Sequence, residues 1–375
     1  MTEPLLITGL AATSAFGRGA AALLAGALAG HPAVRTVHRF DVSGRRVRVA
    51  ATAPGSPDLG PELVEVIDAA CEQAGLSARA RTGCPLLLAV HGDPAMARVS
   101  DVDKPACSAA GLAEALAVSC GLGRAPWAYT SACVAATTAV ADAAALILRG
   151  ECERAVVAAG YLVEPDQFAL FDAGRVLAPD GVVRPFSAQR KGLLLGDGIA
   201  AVVVEARGPA RARGAQALGL LAGWGRAGDA YHVCAPRPDG AGLARATGAA
   251  LRRGGVVPEQ IGYVNAHGSG TPRGDLAESR GLHLALGPYA AQVPVSSTKS
   301  THGQALEASG LLELVLTVLA LRVGRLPVNA GFLAPDPDCD LRLVLDAPQR
   351  TDARYALTVN MAFGGANTAL LVGTP

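Results

Sequence analysis

Cys133 lies in TSACVAATTAVADAAALILRG (130–150), where the strand-like WAYTS gives way to an apolar helix built of small residues. A thiol at such a junction sits at the positive end of the helix dipole, which favours its thiolate. The N–H groups of the first turn are also placed to hold an oxyanion. A buried cysteine ahead of a helix is more often only a small apolar side chain, so the assignment needs support from elsewhere.

Three further segments supply it. In VNAHGSGTPRGDLAES (264–279) a strand ends at His267, a glycine-rich turn carries the hydroxyls of Ser269 and Thr271, and Asp275 stands as a helix cap. A histidine at a strand end beside glycines suits acid/base work or hydrogen bonding to a carbonyl, although an ordinary turn has the same pattern. In VSSTKSTHGQALEASGLLELV (295–315), Lys299 is one of only three lysines in a chain that otherwise takes its positive charge from arginine. A compact ammonium in a buried network, with Glu313 on the following helix as partner, explains that choice; the alternative is a solvated surface lysine. In VNMAFGGANTALLV (359–372), Phe363, Gly364 and Gly365 make a tight turn between two strands, with Asn367 just beyond. Glycines there let backbone approach a substrate.

The elements that must position these residues alternate. Apolar runs at 5–10, 85–90, 154–161 and 198–206 read as strands, with helices near 61–75 and 133–149. A second series has strands at 218–225, 261–267, 293–297, 341–347, 355–361 and 367–373, with helices near 241–254, 275–286 and 303–323. Strand–helix alternation predicts an α/β protein with parallel sheets covered by helices. The second series roughly repeats the first, so the chain reads as an internal duplication. Its break falls in the polar connector RGPARARGAQA (207–217), giving halves 1–210 and 211–375.

Half of the residues are hydrophobic but only 4% are aromatic, so small aliphatics must fill a large core. A net charge of +1 leaves no electrostatic footprint for nucleic acid or an anionic membrane, and points to a small molecule or a protein that presents one. The N-terminus lacks a basic secretory n-region, and no apolar stretch spans a bilayer uninterrupted. Eight cysteines without CxxC pairs or histidines at metal spacing read as scattered thiols in a reducing cytoplasm, with no metal expected.

Together and in this order, the four segments resemble the β-ketoacyl synthases of fatty-acid and polyketide assembly. TSAC is similar to the family's nucleophile segment, HGSGTPRGD to HGTGTPxxD, STKSTHGQALEASG to KSxxGHxxxAAG and AFGGAN to GFGGxN. RPFSAQRKGLLLGDGIA (184–200) and the N-terminal TGLAATSAFGRG resemble two further family segments. The resemblance implies a duplicated thiolase-like fold of five layers, αβαβα, normally a homodimer, with a heterodimer with a related subunit as the variant. It implies Cys133 as the acyl-accepting nucleophile and His267 as a donor to the extender's thioester carbonyl. Cys133, Phe363 and Gly364 would form the oxyanion hole and gate. Ser269, Thr271 and Asn367 would meet the phosphopantetheine arm, and Lys299 with Glu313 would form the supporting ionic pair. No bound cofactor is implied; substrates would arrive on the phosphopantetheine of an acyl carrier protein or of CoA.

The sequence departs from the family at one decisive place. The second catalytic histidine falls five residues after the motif lysine, and that position holds Gln304; His302 lies two residues earlier, before the glycine. An amide donates a hydrogen bond to an enolate as a neutral imidazole does, but it cannot move a proton. If only a donor is needed, the exchange costs about 1–3 kcal/mol, or one to two decades in rate. Condensation is therefore the leading expectation. An acyltransferase that passes the acyl group to an O, N or S acceptor without decarboxylation is the alternative. A non-catalytic partner subunit is a third reading, which the presence of Cys133 and His267 disfavours. The region between about 40 and 110 matches the family poorly and leaves the acyl pocket unsized.

Overall fold

The structure, a computed structural model, describes residues 3–55, 57–92 and 107–375, so part of the poorly matching region, 93–106, lies outside the described residues. The first half contributes strands β1 (Leu5–Ser14), β2 (Leu86–Ala89), β3 (Trp127–Tyr129), β4 (Arg154–Tyr161) and β5 (Gly198–Glu205). The second contributes β6 (Gly219–Gly228), β7 (Ile261–Asn265), β8 (Pro294–Ser296), β9 (Arg342–Leu343), β10 (Tyr355–Met361) and β11 (Ala366–Gly373). They hydrogen-bond in the order β9-β8-β7-β10-β11-β6-β1-β5-β4-β2-β3.

That order carries a two-fold repeat. In each half the first strand pairs antiparallel with the last, β1 with β5 and β6 with β11. The last strand pairs antiparallel with the one before it, β5 with β4 and β11 with β10. Parallel pairs complete each half: β4–β2–β3 in one, β10–β7–β8 in the other. The halves meet where Leu5–Ile7 of β1 runs antiparallel to Gly219–Leu221 of β6. Within this strand order only β9 lacks a counterpart.

Helices complete the layers. α1 (Leu59–Gln73) and α2 (Ala109–Ser119) cover one outer face, with Leu63, Ile67, Leu112 and Leu116 packed on Leu88 and Val203. α4 (Ala241–Gly254) and α5 (Pro272–Leu286) cover the other, with Leu243, Ala246 and Leu282 on Val264 and Leu371. Between the two sheet halves lie α3 (Ala135–Leu148) and α6 (Ser309–Val323), inside the largest core cluster. Twelve of the fifteen α6 residues are buried, as expected of a helix that is apolar all round. This is the five-layer αβαβα arrangement, and the expected thiolase-like fold is borne out.

Small residues let the layers close. A Cβ on Gly225 of β6 would stand 1.8 Å from the Ala246 carbonyl oxygen of α4, so the helix rides on the strand backbone itself. The structure also revises several boundaries. The expected helix over 303–323 begins only at Ser309, after a 3-10 turn at Leu306–Ala308. The run 341–347 shrinks to a two-residue strand because Asp346 turns with φ 61°. The 210/211 break falls inside the short helix Arg207–Ala212. No helix among the described residues is long and apolar enough to cross a membrane.

Candidate active site

After β3 the chain reverses through Ala132, whose φ of 51° is rare for a residue with a Cβ. The 3-10 turn Ala132–Val134 follows and leads directly into α3. The reversal holds Cys133 at the N-terminus of an apolar helix, with the residue 8% exposed. Gln304 Nε2 donates to the Cys133 sulfur at 2.8 Å. Gln304 is itself fixed by a bridge between the halves: its N–H donates to the Leu194 carbonyl at 2.8 Å, and its carbonyl accepts from Gly196 N–H at 2.9 Å. A Cβ at Gly196 would stand 2.1 Å from the His302 carbonyl oxygen, so only glycine permits this approach. His267 follows the end of β7. Cys133, His267, Gln304, Ser269, Thr271 and Phe363 all line one cavity of about 510 Å³.

Burial governs the electrostatics. It pushes the Cys133 thiol up to about 12; Lys299 and the Gln304 amide pull it down, while Glu307 and Glu313 push it further up. Desolvation thus opposes the thiolate that a place at a helix N-terminus favours. Burial, aided by the Lys299 charge, holds His267 well below the usual histidine range, so its imidazole is neutral. Its Nδ1 is buried without a hydrogen-bond partner among the described residues.

Residues 63–210 match the Beta-ketoacyl synthase N-terminal domain, and residues 218–333 match the C-terminal domain. This chain belongs to the β-ketoacyl synthase family. It is 35% identical over 250 residues to a 3-oxoacyl-[acyl-carrier-protein] synthase 2 from Staphylococcus aureus, across 65% of this chain and 62% of that protein. A synthase 2 from Synechocystis is 37% identical over 64% of this chain and 59% of its own length. The chain thus spans less than two thirds of these curated relatives. Over whole chains, the structure is similar to the ishigamide ketosynthase/chain length factor, with TM-score 0.93 and 28% identity. It is also similar to a beta-ketoacyl synthase from Burkholderia phymatum, with TM-score 0.91 and 26% identity.

Seen as a synthase site, the supports explain why the loop after β7 holds its shape. Glu278 of α5 accepts from the N–H groups of His267 and Gly268 at 2.6 and 2.7 Å. Asp275 does not cap α5: Thr271 is the N-cap residue, and Asp275 accepts instead from Phe186 N–H at 2.8 Å and Gly270 N–H at 3.0 Å. Burial raises both carboxyls, Asp275 to about 6 and Glu278 to about 8, against the pull of those donors. The Ser269 and Thr271 hydroxyls bond each other at 2.8 Å within the cavity wall. Lys299 is 1% exposed and pairs with Glu313, whose second oxygen accepts from Asn360 Nδ2 at 2.6 Å. The solvated-lysine alternative is thereby removed.

Two expectations need correction. Gly364 is not free to serve an oxyanion, because its N–H donates to the Val233 carbonyl at 2.9 Å. Asn367 is buried away from the cavity; its amide donates to Asp229 at 2.8 Å and to the Gly365 carbonyl at 3.0 Å, bracing the turn from behind. His302 is also outside the cavity wall, its Nε2 bonded to Thr298 Oγ1 at 3.1 Å, and burial holds its pKa at about 3. Phe363 is 47% exposed at the cavity and stacks on Phe171 with ring centroids 6.1 Å apart. Phe171, Glu278, Asn360 and Glu307 were not among the candidates. Phe171 lies on a helix, Pro165–Ala173, that no periodic run announces.

Proposed function

We propose that the chain is a condensing enzyme in which Cys133 takes an acyl group from a carrier thioester and joins it to a malonyl-carrier extender. The observation that carries this reading is the convergence of the Cys133 thiol, neutral His267 and Gln304 on one cavity. In the first step the Cys133 sulfur attacks the acyl carbonyl, the carrier C–S bond breaks, and the thiol proton leaves with the carrier thiol. The backbone N–H groups of Cys133 and Phe363 serve the oxyanion. In the second step the malonyl thioester loses carbon dioxide, and its enolate oxygen takes hydrogen bonds from His267 and the Gln304 amide. The enolate carbon then attacks the acyl-Cys133 carbonyl, the C–S bond breaks, and the thiolate recovers a proton from water.

In this reading the phosphopantetheine arm runs along Ser269 and Thr271, and Phe363 gates the inner end. Lys299 and Glu313 fix the floor beneath the reacting groups. The relatives' names support an acyl carrier protein as partner. A homodimer is supported by the outermost strand β3, which has no neighbour on its far side among the described residues and leaves Trp127 46% exposed. Free cysteines throughout fit a cytoplasmic setting. Gln304 favours a second reading, acyl transfer to another nucleophile without decarboxylation, because an amide moves no proton.

The test is to incubate the protein with acyl-carrier thioesters, with and without malonyl-carrier protein, and follow intact mass and carbon dioxide. An adduct on Cys133 with carbon dioxide release establishes condensation. An adduct without release favours acyl transfer. Retention of the adduct in Cys133→Ala overturns the nucleophile assignment.

A further inference from the structure

The internal duplication has a consequence at the nucleophile. Cys133 is the middle residue of a 3-10 turn, Ala132–Val134, that opens with a positive φ of 51° and runs into the central helix α3. The other half repeats this construction: the 3-10 turn Leu306–Ala308 opens with a positive φ of 37° and runs into the matching central helix α6. Glu307 therefore occupies in the second half the place that Cys133 holds in the first. The two turns pack against each other, and the second also packs against β4, which ends at Tyr161.

Three polar atoms around this junction are buried without partners among the described residues: Glu307 Oε2, Tyr161 Oη and Gln304 Oε1. Glu307 and Tyr161 are each 3% exposed. The other Glu307 oxygen lies 3.5 Å from His91 Nδ1, on a side chain that is mostly exposed. The Glu307 charge pushes both the Cys133 thiol and the Tyr161 hydroxyl up, and its hydrogen bond raises the His91 pKa. A buried carboxylate with an idle oxygen is costly to keep unless something donates to it.

We propose that Glu307 selects the acyl group taken up by Cys133, favouring chains that carry a hydrogen-bond donor and disfavouring those that carry a carboxylate. The Tyr161 hydroxyl is the second polar contact for the same substituent. The inference rests on the reading that Cys133 is acylated, and deepens it to a substrate class.

The experiment follows Cys133 acylation by intact mass, using pantetheine thioesters so that no carrier need be identified. Butyryl is compared with 3-hydroxybutyryl and β-alanyl, hexanoyl with 6-hydroxyhexanoyl, and glutaryl serves as the acidic member. The expected result is loading about 10-fold or more faster for a donor-bearing chain than for its alkyl parent, with glutaryl slowest. Glu307→Leu brings the donor-to-parent ratio to about one. Glu307→Gln, close in shape and safe for folding, removes the discrimination against glutaryl. Alkyl chains that load as fast as their donor-bearing counterparts in the unaltered protein overturn the role of Glu307 while leaving Cys133 acylation intact. No adduct with any thioester overturns the Cys133 reading beneath it.

Discussion

At the residue scale, Gln304 is the departure from the family's pattern that bears most on the proposed chemistry. Its amide N–H points at the Cys133 sulfur at 2.8 Å, so it can stabilise negative charge there but cannot relay a proton. Gln304→His should raise malonyl decarboxylation, read as carbon dioxide release, by about 10-fold. An unchanged rate shows that position 304 does not limit that step. Cys133, His267 and Lys299 were legible because their motifs put a rare or reactive side chain at an element boundary. Gly364 and Asn367 were misread because sequence does not show which way a backbone N–H or a buried amide faces. Glu278 and Asp275 carry the loop through carboxylate–backbone bonds, and a helix with two acids on it gives no sign of that.

At the element scale, α6 and β10 are locked by the Lys299–Glu313–Asn360 cluster, which has no access to water to compensate for a missing member. Lys299→Met should lower the unfolding free energy by about 3–5 kcal/mol in urea titrations, because it strands a buried carboxylate. Lys299→Met combined with Glu313→Leu should recover most of that loss. A single-variant loss below about 1 kcal/mol would mean that the pair is solvated after all. Most strands were legible as short β-branched and leucine runs between turn signals. α2 was not, since AAGLAEALAVS has no start signal beyond Ser108, which accepts from Gly111 N–H at 3.1 Å. The late start of α6 was equally hidden: nothing in the local sequence marks Leu306–Ala308 as a tighter coil, packed in the fold against the Cys133 turn and β4.

At the scale of the whole molecule, two buried neutral histidines shape the response to acid. Folding depresses the His302 pKa to about 3, and His267 is held low as well. An unfolded histidine binds its proton near pH ~6.5. Stability is therefore intact above that pH and is lost as pH falls toward the folded value, by about 1.4 kcal/mol per pH unit for each histidine. His302→Gln should flatten the slope of unfolding free energy between pH ~4 and ~6 by that amount. Asp275 and Glu278 titrate alike in both proteins and drop out of the comparison. An unchanged slope would mean that His302 is already charged in the fold. Sedimentation should give twice the chain mass, and Trp127→Asp the mass of a single chain; an unaltered dimer would place the contact elsewhere. The position of α6 also constrains how this chain reaches its final form. It is made from residues 309–323 yet fills the space between both sheet halves, including the one begun at Leu5. During synthesis the first half must wait, with an inner face uncovered, until more than three hundred residues have followed β1 out. Pairing across such separations is slow. The first half therefore depends on protection from aggregation while it waits, and fragments cut at the midpoint should collect as insoluble material.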